Sequence, residues 1–221
     1  MKEQMLTVVE SRRSVYNLLA ELFLNPIPTP GSEYAQKFSE ALGDLARLPD
    51  QGDYGEGLRL LNNFKTVANC GDLENIQKNL AVDRTKLCRG TAKKDAVIPP
   101  YEALYLSPEK EVDQLLAIVQ FYQKAGLKVS AGHFERMDYI GIEFAFMAEL
   151  CTKERLALDS EQKEKFESVL ALEKEFLNQH LLKWALDYCG QVIVHAETEF
   201  FRGFGYLIRA FLYEEKEFCE Q

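Results

Sequence analysis

Histidine is scarce in this chain, paired cysteines are missing, and proline disappears halfway along it; each shortage closes a class of function. Only His133, His180 and His195 occur, with neither an H-E-x-x-H motif nor a Glu-x-x-His pair, so zincin and di-iron chemistry lack their usual ligands. No metal is expected. The five cysteines, Cys70, Cys88, Cys151, Cys189 and Cys219, are odd in number, far apart and without a CxxC pair. That pattern fits the reduced thiols of a cytoplasmic protein better than a disulfide framework. Neither a G-x-S-x-G elbow nor a G-x-x-x-x-G-K-[ST] loop is present, which leaves an esterase or a P-loop nucleotidase unsupported. No cofactor is implied. The longest stretch free of Asp, Glu, Lys and Arg runs over 22–32, eleven residues with three prolines, whereas a membrane span takes roughly 20 apolar residues.

What the chain does have is an ordinary globular composition, 221 residues at 47% hydrophobic and 28% charged, too apolar for disorder. Its formal charge is −9, a field that repels phosphate backbones, so nucleic acid is not an expected partner. All seven prolines lie at or before Pro108, which frees the second half to run as long helices. The strongest stripe is Phe200, Phe201, Phe204, Leu207, Ile208, Phe211 and Leu212, spaced as one buried helical face. Gly203 and Gly205 within it lack a preceding strand, so close helix packing explains them better than a dinucleotide loop. Met137 to Cys151 is apolar on two faces, the mark of a central helix. Val112 to Tyr122 gives an amphipathic helix entered after Ser107-Pro108-Glu109 and stopped by Gly126. Further helices are expected near Glu33–Leu48, Tyr54–Ala68, Asp72–Lys86 and Ser160–Asn178. The Val-Ile-Val run at 192–194 is too short to argue for a strand, and the fold class is all-α.

Ser11-Arg12-Arg13-Ser14-Val15-Tyr16 has the look of a twin-arginine export signal. Glu21 interrupts its apolar stretch, however, and Met5, Val8, Arg12, Val15, Leu19 and Leu22 keep helical spacing, so a first helix of the folded domain is the better reading.

Two segments break the helical rhythm, Gly90–Pro108 and Gly126–Arg136. The second reads as a hinge near 126–137 between an N-terminal subdomain, 1–130, and a C-terminal one, 131–221, with Gly132 and His133 in it. Such loops, held by a rigid scaffold, can present polar and aromatic groups to a partner. In Pro99-Pro100-Tyr101-Glu102-Ala103-Leu104-Tyr105-Leu106 the prolines stiffen the backbone, so Tyr101, Glu102 and Tyr105 lose little entropy on binding. For Tyr101 and Tyr105 the other reading, and the favoured one from the residues alone, is core anchoring. Phe134-Glu135-Arg136-Met137-Asp138-Tyr139 leads into the helix that carries Glu143; Asp138 is placed either to cap that helix or to bind. A buried Glu143 needs a structural hydrogen bond.

These residues resemble a family. The 99–106 segment is similar to the P-P-Y/W-E/G-S-V-Y/W-L stretch of the TorD/DmsD/NarJ group, cytoplasmic chaperones that mature molybdenum-containing oxidoreductases. Thr85-Lys86-Leu87-Cys88-Arg89-Gly90 resembles its T-R-L-F-x-G, Glu135-Arg136-Met137-Asp138-Tyr139 its E-P-x-D-H/Y motif, and Glu143-Phe144-Ala145-Phe146-Met147 the E-L-E-F-M that follows. Arg13 to Ala20 is similar to the group's first helix, and the likeness extends to Trp184 and Phe200-Phe201-Arg202. Arg136 stands where the group has proline, and Cys88 where it has phenylalanine.

The resemblance implies an all-helical bundle of two hinged subdomains. It implies a chaperone that binds the apo catalytic subunit of a molybdopterin oxidoreductase, often by its twin-arginine leader, and delays export until the cofactor is inserted. Such a leader is a cationic pair followed by an apolar segment, so its receptor needs carboxylates beside apolar surface. Pro99, Pro100, Tyr101, Glu102, Tyr105, Glu135, Asp138 and Tyr139 are the expected client-binding residues. Gly132, His133, Glu143 and Trp184 are the expected structural or hinge positions. The chain is expected as a monomer or a hinge-swapped dimer. The alternatives are a helical adaptor with another client and a hydrolase using Cys88 or Cys151 with a histidine, since spacing leaves a Cys–His pair open.

Overall fold

The computed structural model describes residues 2–26, 52–90, 97–127 and 135–220. The helix expected at 33–48 and the hinge positions Gly132 and His133 lie outside the described residues. Among those described the chain is all-α, and its one β feature is an isolated antiparallel bridge between Tyr101 and Tyr139. The helices are α1 (Lys2–Leu24), α2 (Gly52–Cys70), α3 (Leu73–Arg89), α4 (Glu102–Leu106), α5 (Glu111–Lys124), α6 (Ile140–Asp159), α7 (Lys163–Gln179), α8 (Ala185–His195) and α9 (Glu199–Glu220), with 3₁₀ turns at Pro108–Lys110 and Leu181–Lys183. No helix among the described residues is long and apolar enough to cross a membrane.

Local chemistry explains the boundaries. Asp72 accepts the backbone N–H groups of Glu74 and Asn75 and so starts α3. Gly126, at φ +71° directly after the last turn of α5, takes the left-handed conformation that ends a helix at little cost. The Val-Ile-Val run falls inside α8, where helical context overrides the β preference of branched residues.

The chain forms two compact units, one from Met1–Leu24 with Tyr101–Trp184 and the other from Asn25–Pro100 with Ala185–Gln221. This division differs from the one expected near 126–137. The physical reason is that α1 packs lengthwise on α6, tying the first residues of the chain to its middle. In the first unit Val15, Tyr16, Leu19 and Phe23 of α1 are buried along with Ile140, Phe144, Met147 and Cys151 of α6. Gly141 permits the closest approach, because a Cβ there would lie 2.9 Å from Cβ of Phe23. Tyr16 and Phe144 meet at 6.2 Å between ring centroids and Phe23 and Phe144 at 5.9 Å, and around Phe176 the rings of Phe121, Tyr122 and Phe146 gather at 4.5–5.9 Å.

In the second unit α9 buries Phe200, Phe204, Leu207, Ile208 and Phe211 and packs on α2 and α8. A Cβ on Gly57 would come within 2.9 Å of the Gly203 carbonyl, and one on Gly205 within 3.0 Å of the Ile193 side chain. Gly203 and Gly205 thus serve close helix packing.

Candidate functional site

The two segments singled out in the sequence, 99–106 and 135–139, converge through backbone hydrogen bonding. Beside the Tyr101–Tyr139 bridge, the Glu102 N–H donates to the Asp138 carbonyl at 2.9 Å. Asp138 turns its side chain the same way, and its Oδ2 accepts the Ala103 N–H at 3.3 Å. It therefore caps α4. This corrects the expectation that Asp138 caps the helix carrying Glu143; that helix, α6, begins at Tyr139 with no side-chain cap. A partner 35 residues away in the chain outcompetes the local one because it also joins the two segments.

Burial sorts the expected client-binding residues into two groups. Glu102, Asp138 and Tyr139 are 1%, 0% and 2% exposed, and their polar atoms are engaged inside the first unit. The Tyr139 hydroxyl donates to the Phe23 carbonyl at 3.1 Å, and its ring lies 5.3 Å from that of Tyr101. Tyr101, Tyr105 and Glu135 are partly exposed. Tyr101 donates its hydroxyl to Glu135 Oε2 at 3.2 Å, and Tyr105 packs its ring 5.1 Å from that of Trp184. Pro99 is partly exposed and Pro100 buried; they close the chain stretch assigned to the second unit, in which the neighbouring Ile98 N–H donates to Gln191 Oε1.

Beneath Tyr101 and Tyr105 lies a buried polar set. Glu102 faces His180, whose Nδ1 stands 2.9 Å from Oε1 and 3.1 Å from Oε2. The imidazole is fixed by Phe176, stacked at 5.1 Å, and by the edge-on ring of Phe121 at 5.3 Å. Glu143 accepts the Trp184 indole N–H on Oε2 at 3.4 Å, while its buried Oε1 has no hydrogen-bond partner. Burial pushes the Glu143 carboxyl well above the usual carboxylate range, and the nearby Glu102 adds to the rise. Glu102 is raised too, chiefly by burial, with the His180 hydrogen bond opposing it. Both carboxyls are raised for the same reason, that two like charges are costly in a dry interior.

At the edge of this set stands Arg136. Its Nε and a terminal nitrogen fork onto Asp138 at 2.9 and 2.7 Å, its other terminal nitrogen pairs with Glu111, and its guanidinium lies 4.8 Å from the Tyr101 ring centroid. The Asp138 hydrogen bond is the main reason the guanidinium holds its proton more tightly than usual.

A second arginine centre, which sequence reading missed, sits deeper in the same unit. Arg12 is buried and reaches Glu154 at 3.2 Å and Glu173 at 2.8 Å. Cys151, Glu154 and Glu173 bring potential ligand atoms within 4.8 Å of one another. They could hold a metal by proximity, but the guanidinium already supplies the positive charge those carboxylates require. The twin arginines of α1 are thus split in role, since Arg13 pairs with Glu10 at the surface. Cys88 and Cys151 are both buried, a setting that suits packed thiols better than accessible nucleophiles.

Comparison with known proteins adds a direct finding. The sequence model described as nitrate reductase delta subunit matches residues 50–189. The chain belongs to this family. It is also similar to the chaperone protein TorD of Aliivibrio salmonicida, with 26% identity over 189 residues, 80% of this chain and 79% of that protein. The resemblance read from the 85–90, 99–106 and 135–147 motifs therefore points to the right family, and the motifs themselves fall inside the matched range.

Proposed function

We propose that this chain is a maturation chaperone for molybdoenzymes that binds an apo catalytic subunit through its twin-arginine leader and holds it, in the cytoplasm, until the cofactor is inserted. Family membership and the likeness to a TorD chaperone support the general role. The observation that carries the specific reading is the convergence of the two motif segments on one surface, where partly exposed Tyr101, Tyr105 and Glu135 stand above buried Glu102 and Asp138. In this reading Tyr101, Tyr105 and Glu135 meet the leader. Glu102, Tyr139, Glu143 and Trp184 hold that surface in place, and Asp138 beneath it supplies a carboxylate.

The apolar part of a leader also has a counterpart. Past the 3₁₀ turn that follows α4, α5 exposes Val112 and Leu116 one turn apart, 77% and 54% accessible, with acidic Glu109 of the turn and Asp113 nearby in the chain. Exposed charge pairs contribute about 0–1 kcal/mol each, so affinity comes mainly from apolar burial at about 25 cal/mol per Å². The carboxylates set register and specificity.

Titration calorimetry with a synthetic peptide carrying an arginine pair and an apolar segment tests the reading. Tyr101→Ala should weaken binding about tenfold or more, as expected for loss of an aromatic anchor, with thermal stability close to that of the unsubstituted chain. Equal affinity for both proteins would move the site elsewhere. An adaptor with another client would bind no such peptide.

A further inference from the structure

The first unit contains a guanidinium site that is already filled. Asp138 offers both carboxylate oxygens to one fork, at 2.9 and 2.7 Å, Glu111 takes the remaining nitrogen, and the ring of Tyr101 covers the cation at 4.8 Å. Two carboxylates and an aromatic face are the full set of contacts that a planar cation recognises. The group seated there is the chain's own Arg136, and its side chain is 35% exposed while Asp138 beneath it is fully covered. Arg136 is joined to Asp138 through a single intervening residue, so its hold is local and can be exchanged without unfolding either segment. The deeper arginine centre contrasts with it, because Arg12 and both its carboxylates are almost completely buried and no incoming group could take its place.

We infer that Asp138, Glu111 and the Tyr101 ring form the subsite for an arginine side chain of the client, and that Arg136 occupies this subsite as a placeholder in the free chain. The inference rests on the leader-binding reading above and names where one of the leader's arginines goes. Arg136 keeps the buried Asp138 charge paired until the client arrives, and swings out when the client's guanidinium takes over the same contacts. Because Arg136 is present at high local concentration, it competes with the client and lowers the apparent affinity by the fraction of time the subsite is occupied.

The test is calorimetry with a peptide bearing an arginine pair and an apolar segment, on the unsubstituted chain, Arg136→Ala and Arg136→Lys. Removing the placeholder should tighten binding about tenfold. Lysine, which cannot fork onto a carboxylate, should give a smaller gain in the same direction. Replacing the peptide's arginine pair by lysines should abolish most of the advantage of Arg136→Ala. Independently of any variant's stability, the Arg136 Nε–H resonance of the unsubstituted chain should shift when the peptide saturates it. Unchanged or weaker binding by a folded Arg136→Ala, or an Arg136 Nε–H signal unmoved at saturation, overturns the placeholder while the leader reading stands. A peptide bound by none of the three proteins overturns the leader reading, and the placeholder with it.

Discussion

Two arginines in the same unit each face two carboxylates, yet they sit in opposite surroundings. Arg12, Glu154 and Glu173 have side chains at most 4% exposed, whereas Arg136 and Glu111 are 35% and 40% exposed and only Asp138 is covered. The residue types are nearly the same; water access separates them. A buried triad of this kind cannot exchange partners, because each uncompensated charge would carry a large desolvation penalty, so it ties α1 to α6 and α7. In the other triad the cation and Glu111 reach water, so Arg136 can give way to an incoming guanidinium that keeps Asp138 paired, and the site is therefore suited to recognition.

The sharpest way to break the comparison is Arg12→Ala. It should leave Glu154 and Glu173 buried without their cation and destabilise the protein by about 3–5 kcal/mol, read as a lower midpoint in urea or on heating. A loss as small as that of a surface pair would show that water reaches the triad and that the two centres do not differ in kind.

Next in size is a pH effect at Glu143. Its carboxyl is raised in the folded chain, so above the ordinary carboxylate range the unfolded chain releases a proton that the folded chain keeps. Stability from this group is full below that range and falls as pH rises through it toward the folded value. Glu143→Gln removes the proton release. Its stability relative to the unsubstituted chain should improve with rising pH by at most about 1.4 kcal/mol per pH unit, measured by urea titration at several pH values. Since Trp184 is the single tryptophan and donates to Glu143, its fluorescence should follow the same titration. A pH-independent difference would mean that Glu143 is ionised throughout.

Smallest is the arginine pair of the second unit. Arg209 forks onto Asp53 at 2.6 and 2.7 Å with both side chains about a quarter exposed. Arg209→Ala should cost about 1 kcal/mol, between a buried triad and a free surface charge. A cost equal to that of Arg12→Ala would sever the link between burial and energy on which the contrast rests.

Much of this was legible in the sequence, and the limits follow a physical line. Periodicity and end signals are local, so the proline-free second half, the helix near Asp72–Lys86, the stop at Gly126 and the apolar stripe of α9 could all be read directly. The helical spacing even placed Arg12 on the buried face of α1. What it could not give was the partner, because Glu154 and Glu173 lie on two later helices and nothing in the intervening pattern marks them. His180 stood alone in the sequence for the same reason, its partner Glu102 being 78 residues away. Asp138 was read as a cap, correctly in chemistry, but on the nearer helix. The two motif segments were found as separate loops, and their union depends on a backbone bridge that side-chain patterns do not encode.

Hydrogen–deuterium exchange on the chain bound to an apo molybdoenzyme catalytic subunit that retains its leader tests the central claim most directly. Protection should appear at 101–116 and 135–139, with the Arg12-bearing segment of α1 unchanged from the free chain. Full complex formation with no added protection at 101–116 or 135–139 would contradict the account.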